Sequence, residues 1–107
     1  MAKTKAKLTK AQKRKQIPVF SGFIAYFPNA IKAVAHLSWV GNDQHNPGTE
    51  LHWDRSKSGD ELDALGRHLI DSVIDPVDDD EILHETKVAW RAMANLEKLL
   101  EKNNNGK

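Results

Sequence analysis

The sequence predicts an all-α fold. Three segments repeat apolar residues at helical spacing, no segment reads convincingly as sheet, and Gly and Pro punctuate the stretches between them. At 107 residues the chain is long enough for one domain but short enough that its own core is modest, so pairing with copies of itself is expected to complete it.

Taken in order, residues 1–16 form a basic tail without regular structure. Residues 17–27, IPVFSGFIAYF, are apolar and aromatic, and read either as an extended lead-in or as a short helix. Pro28 suits a first helical turn. From it a helix runs through Ile31, Val34, Ala35 and Ser38 to a stop at Gly41. The run GNDQHNPGTELHW, residues 41–53, then reads as an irregular loop, because Gly41, Pro47 and Gly48 oppose regular structure.

A second helix starts after Gly59 and covers DELDALGRHLIDSV. Leu62, Leu65, Leu69 and Val73 form its apolar stripe, and Asp60, Asp63, Arg67 and Asp71 lie opposite. In the third helix, Asp78 and Glu81 have capping-box spacing, and the segment continues to about Glu101. Its apolar stripe is Ile82, Thr86, Ala89, Met93, Leu96 and Leu100, while His84, Lys87, Arg91 and Asn95 line the far side. The expected organisation is therefore a tail over 1–16, a helical domain over 17–101 and a polar tail over 102–107.

Charge is distributed unevenly. Residues 1–16 hold seven of the sixteen Lys and Arg and no acid, so the body keeps nine against fifteen acids. Such an arm can touch nucleic acid through phosphates, or simply be solvated. No stretch is apolar enough to span a bilayer and no secretory signal is visible, so a soluble, cytoplasmic protein is expected. With no cysteine, disulfides, thiolate nucleophiles and Cys-type zinc sites are excluded.

Asp60 and Asp63, one helical turn apart, have a spacing at which two carboxylates can share a hard cation such as Mg²⁺. If that acidic stripe and the cationic stripe of the third helix border one cleft, it would suit a polyphosphate, with Lys87 and Arg91 neutralising oxygens. The five histidines show no HExxH or other zinc-helix spacing, and neither a P-loop, a Rossmann fingerprint nor a G-x-S-x-G elbow occurs.

The motifs GNDQHNPG, LHWDRSKSGDELD and RHLID, in this order and followed by HETKVAWRAMANLEKLLE, resemble the phage and bacterial dATP/dGTP diphosphohydrolase family, a branch similar to the MazG-like all-α NTP pyrophosphatases. The likeness spans about residues 15–101. It implies a MazG-like helical bundle, three main helices per chain, acting with Mg²⁺ or Mn²⁺ on a purine deoxynucleoside triphosphate, dGTP or dATP. The products would be the monophosphate and pyrophosphate, as in phage nucleotide-pool remodelling, where such an enzyme would supply dGMP for modified-purine synthesis or remove a competing triphosphate; a phage-encoded chain would work in the host cytoplasm.

In that family, acids at ExxE and ExxD spacing hold the metal. Asp60 and Asp63 match the second pattern with Asp for Glu, and both are the expected catalytic residues; Glu61 lies beside them as a further ligand. The first pattern is missing, since the helix from Asn29 to Val40 has no acid, and Asp43, Glu50 or Asp54 are the substitutes on offer. On this reading the substrate would meet Gln44, His45, Asn46 and Trp53 in the polar run, Arg55 and Lys57 ahead of the second helix, and Arg67, Lys87 and Arg91 on the helices.

Overall fold

The computed structural model describes residues 7–57 and 59–105, and among these it contains helices and no strand. The helices are α1 (Lys10–Lys15), α2 (Pro28–His45), α3 (Glu61–Ile74) and α4 (His84–Asn105). The fold is thus all-α, as the periodicity predicts. The chain divides between Ile31 and Lys32, inside α2, into two compact units.

The first unit departs from the expected tail. Thr9 caps α1 with a complete capping box: its hydroxyl accepts from Gln12 N–H and its own N–H donates to Gln12 Oε1, at 3.1 and 2.8 Å. Residues Phe20–Ile24 make a π-helical turn, which resolves the open reading of 17–27. Glycine at position 22 avoids a tight contact there, since a Cβ would lie 3.0 Å from the Pro18 ring. Residues 1–6, the rest of the basic stretch, lie outside the described set.

In the second unit, α2 does not stop at Gly41 but runs four residues further. A helical glycine costs only about 1 kcal/mol relative to alanine, which the flanking hydrogen bonds outweigh. The actual stop is set by Pro47, which disfavours helix in the residue before it, and by Gly48 at φ 81°. Thr49 then folds back, its hydroxyl donating to Asn46 O at 2.7 Å and its carbonyl accepting from Asn42 Nδ2 at 3.3 Å. The first five residues of the expected polar loop, 41–45, are therefore helical, which fixes Asn42, Gln44 and His45 on a rigid element.

The link between α3 and α4 also differs from expectation. Asp78 and Glu81 do not open a helix: Glu81 sits at φ 65°, and α4 begins at His84. The acids instead serve the turn. Asp75, Asp78 and Asp80 accept from the N–H groups of Val77, Asp79 and Ile82, while His84 N–H closes the turn on Pro76 O at 3.0 Å. The expected polar tail after Glu101 is helical to Asn105.

The two helices pack antiparallel, since Glu61 meets Arg91 and Lys98 while His68, further along α3, meets the start of α4. Small residues make close approach possible: Ala64 and Ala94 are the buried apolar residues, with Glu61, His84 and Thr86 buried among them. Most of the predicted apolar stripes point elsewhere. Leu62, Leu69 and Val73 of α3 and Met93, Leu96 and Leu100 of α4 are exposed, whereas His84, Lys87, Arg91 and Asn95, expected on the far side, are buried or half-buried. On α4 the polar stripe meets the neighbouring helix, whereas on α3 the contact is made by Glu61, Ala64 and His68, between the two predicted stripes, and Asp60, Asp63, Arg67 and Asp71 stay exposed.

Candidate functional site

A cleft of about 740 Å³ opens within the second unit. One wall is the C-terminal half of α2, with Ser38, Gly41, Asn42, Gln44 and His45; Asn46, His52 and Trp53 continue it along the following loop. His68 of α3, Asp80 of the turn and Lys87, Trp90 and Arg91 of α4 complete it. Trp90 ties the walls together by donating from Nε1 to Ser38 Oγ at 2.8 Å, and its ring meets Trp53 edge-on with centroids 5.7 Å apart. Asn42 Oδ1 and Trp53 Nε1 are buried there without a hydrogen-bond partner among the described residues. Each such atom costs about 1–3 kcal/mol unless something pairs with it.

Of the expected substrate residues, Gln44, His45, Asn46, Trp53, Lys87 and Arg91 line this cleft. Arg55 does not: its guanidinium lies 4.3 Å over the Trp53 ring and pairs with Glu101, so it stiffens the indole from behind. Arg67 is on the exposed side of α3, 3.7 Å from Asp60. The Lys57 side chain lies outside the described set.

Two of the three carboxylates expected to hold Mg²⁺ are paired with cations. Arg91 Nη1 lies 3.3 Å from both Asp60 Oδ1 and Glu61 Oε1, and Lys98 Nζ is 2.7 Å from Glu61 Oε2. Asp63 is exposed on the first turn of α3 and is not among the residues lining the cleft. A guanidinium nitrogen thus stands between two of the three acids, and buried Glu61 works as a strut holding α3 to α4.

Sequence spacing did not reveal a second cluster, at the end of the α3–α4 hairpin. His68 Nδ1 and His84 Nδ1 are 3.0 Å apart, and Asp78 Oδ2 lies 3.9 and 3.8 Å from them. Lys87 Nζ reaches Asp78 Oδ2 at 2.6 Å and Asp80 Oδ2 at 2.7 Å. Burial, reinforced by nearby Lys87, pushes His68 below its ordinary value and so favours the neutral ring. The Lys87 hydrogen bond holds the Asp78 carboxyl below the usual carboxylate range. For Lys87 itself desolvation is outweighed by its two carboxylate partners, and its pKa rises.

These three residues lie on three different elements, α3, the turn and α4, so fixed spacings along one helix do not capture them. The reversal at residues 75–83 brings them together. The signal was the helix–turn–helix itself: a His midway along one helix, another at the start of the next, and an Asp in the connecting turn.

No protein-family model, curated protein or solved structure matches the chain. Among the described residues, no single helix is long and apolar enough to cross a membrane.

Proposed function

We propose that the cleft binds a purine deoxynucleoside triphosphate and that the protein hydrolyses it to the monophosphate and pyrophosphate, in the manner of the MazG-like enzymes its motifs resemble. The observation that carries the proposal is the convergence of three kinds of group on one cleft. Amide side chains (Asn42, Gln44, Asn46) offer paired donors and acceptors for a purine edge or sugar, indoles (Trp53, Trp90) supply an apolar wall, and cations (Lys87, Arg91) stand beyond them. The volume suits a ligand of this size. The unpartnered Asn42 Oδ1 and Trp53 Nε1 give the bound molecule one acceptor and one donor to satisfy.

Lys87 and Arg91 are already paired with carboxylates, so a triphosphate has to compete for them. The ligand brings four charges against the two carboxylates that each cation now holds, and Arg91 offers a fork of donors suited to phosphate. A divalent cation accompanying the nucleotide supplies neutralisation of phosphate oxygens. Asp60 and Glu61, as held by Arg91 and Lys98, do not fit an all-oxygen Mg²⁺ cage, so no catalytic step is assigned to them or to Asp63.

The exposed apolar faces of α3 and α4 fit a second copy of the chain, in which Leu69, Val73, Met93 and Leu96 would find the cover they lack here.

Tryptophan fluorescence titration tests the binding half of this reading. Saturable quenching by dGTP or dATP, lost in Lys87→Met and weakened in Gln44→Ala, is the expected result. Equal responses to all nucleotides in wild type and both variants would refute it.

A further inference from the structure

The geometry points to a transition-metal site formed by His68 Nδ1, His84 Nδ1 and Asp78 Oδ2, taking a first-row divalent ion such as Zn²⁺ or Co²⁺ in preference to Mg²⁺. Two imidazole nitrogens with one carboxylate oxygen make a donor set for borderline ions, whereas Mg²⁺ seeks oxygen.

Distances decide how near the site is to readiness. Tetrahedral coordination with metal–nitrogen bonds of about 2.0–2.1 Å places ligand atoms about 3.3 Å apart. The two Nδ1 atoms, at 3.0 Å, need to part by only a few tenths of an ångström. Asp78 Oδ2, at 3.8–3.9 Å, needs to close by about 0.5 Å to reach the spacing that such coordination sets.

The donors are also held in place. His68 is on α3 and His84 is the first residue of α4, 5 % exposed. Asp78 is fixed by its backbone N–H to Ile82 O at 2.9 Å, and its Oδ1 accepts from Asp79 N–H at 2.7 Å, which leaves Oδ2 to face the histidines. Two neutral rings cannot both turn Nδ1 lone pairs toward each other; without a cation, one must carry the proton there. A metal would take the place of that shared proton and accept both lone pairs.

Lys87 is the competing cation, sharing Asp78 Oδ2. Asp80 gives its ammonium an alternative partner 2.7 Å away, so Lys87 can yield Oδ2 without being stranded. His68, Asp80 and Lys87 all line the cleft, which places the ion at its edge and leaves its remaining coordination positions for water or an oxygen ligand.

The test is calorimetric titration of metal-free full-length protein with Zn²⁺ and Mg²⁺, alongside visible absorption spectra with Co²⁺, all without nucleotide. The outcome is therefore separate from that of the dGTP titration. One Zn²⁺ per chain and a Co²⁺ spectrum of nitrogen–oxygen coordination are expected, with Mg²⁺ failing to displace either ion. His68→Gln and Asp78→Asn should weaken Zn²⁺ binding at least about tenfold, Lys87→Met should strengthen it, and Asp63→Asn should leave it unchanged. His84 is buried and its replacement also reads on folding, so the first two variants carry the test, with circular dichroism confirming their helix content. Absence of Zn²⁺ and Co²⁺ binding, or wild-type affinity in both His68→Gln and Asp78→Asn, would overturn the assignment.

Discussion

Replacing Glu61 with Gln removes the charge that fastens α3 to α4 while keeping the side chain's shape. Glu61 is 4 % exposed, with Lys98 Nζ at 2.7 Å and Arg91 Nη1 at 3.3 Å. A charge-assisted hydrogen bond contributes about 1.5–3 kcal/mol, and breaking a fully buried pair costs about 3–5 kcal/mol. The cations are each about 30 % exposed, so water recovers part of that loss; the longer contact to Arg91, shared with Asp60, adds little. The expected destabilisation is about 2 kcal/mol, near the lower bound because Gln still offers one acceptor but turns a donor toward a cation. For a domain of this size that lowers Tm by about 8–16 °C. Thermal and urea unfolding at matched chain concentration measures it, with exposed Asp63→Asn as the control expected to stay within about 0.5 kcal/mol. A Glu61→Gln variant as stable as that control would show that the buried ion pairs do not hold the hairpin together.

Other predictions concern different parts of the molecule. Light scattering should give a mass above that of one 12.0 kDa chain, and Leu96→Asp with Leu69→Asp should return it to a monomer; a monomeric wild type would contradict this. Because the folded-state pKa of His68 is depressed, the unfolded chain takes up the proton first as pH falls below the ordinary value of 6.5. The stability it contributes is present above that pH and lost on acidification, so the urea midpoint of metal-free protein should drop between about pH 7.5 and 5.5, less in His68→Gln than in wild type. Equal drops would remove His68 as the cause. Deleting residues 1–14 should leave nucleotide turnover intact while abolishing any salt-sensitive DNA binding; loss of turnover would place the arm in the active unit.

The helices were legible in the sequence because they depend on local periodicity and capping, and the extents of α3 and most of α4 follow from it. What covers each face was not. Leu62, Leu69 and Val73 read as a core stripe, yet α3 meets α4 through Ala64, Glu61 and His68, and the leucines stay exposed. Periodicity registers the contrast between two faces of a helix and carries no information about which neighbour each face meets. The cleft was partly legible: the crowding of polar residues between 41 and 53 marked its wall, and Lys87 and Arg91 marked the opposite side. Their pairing with Asp78, Asp80, Asp60 and Glu61 depends on the turn at residues 75–83, as does the meeting of His68 with His84. Tertiary reversal created those contacts, and no spacing rule along one helix encodes them.

The most direct test of the central claim is a product assay. Purified protein is incubated with Mg²⁺, Mn²⁺ or Zn²⁺ and a panel of ribo- and deoxynucleoside triphosphates, and monophosphate, diphosphate, pyrophosphate and phosphate are resolved. Triphosphate hydrolysis in the cleft predicts dGMP or dAMP with equimolar pyrophosphate, lost in Lys87→Met and Arg91→Met and retained in Asp63→Asn. Diphosphate with phosphate as products, or no turnover of any nucleotide with any of the three metals, would contradict it.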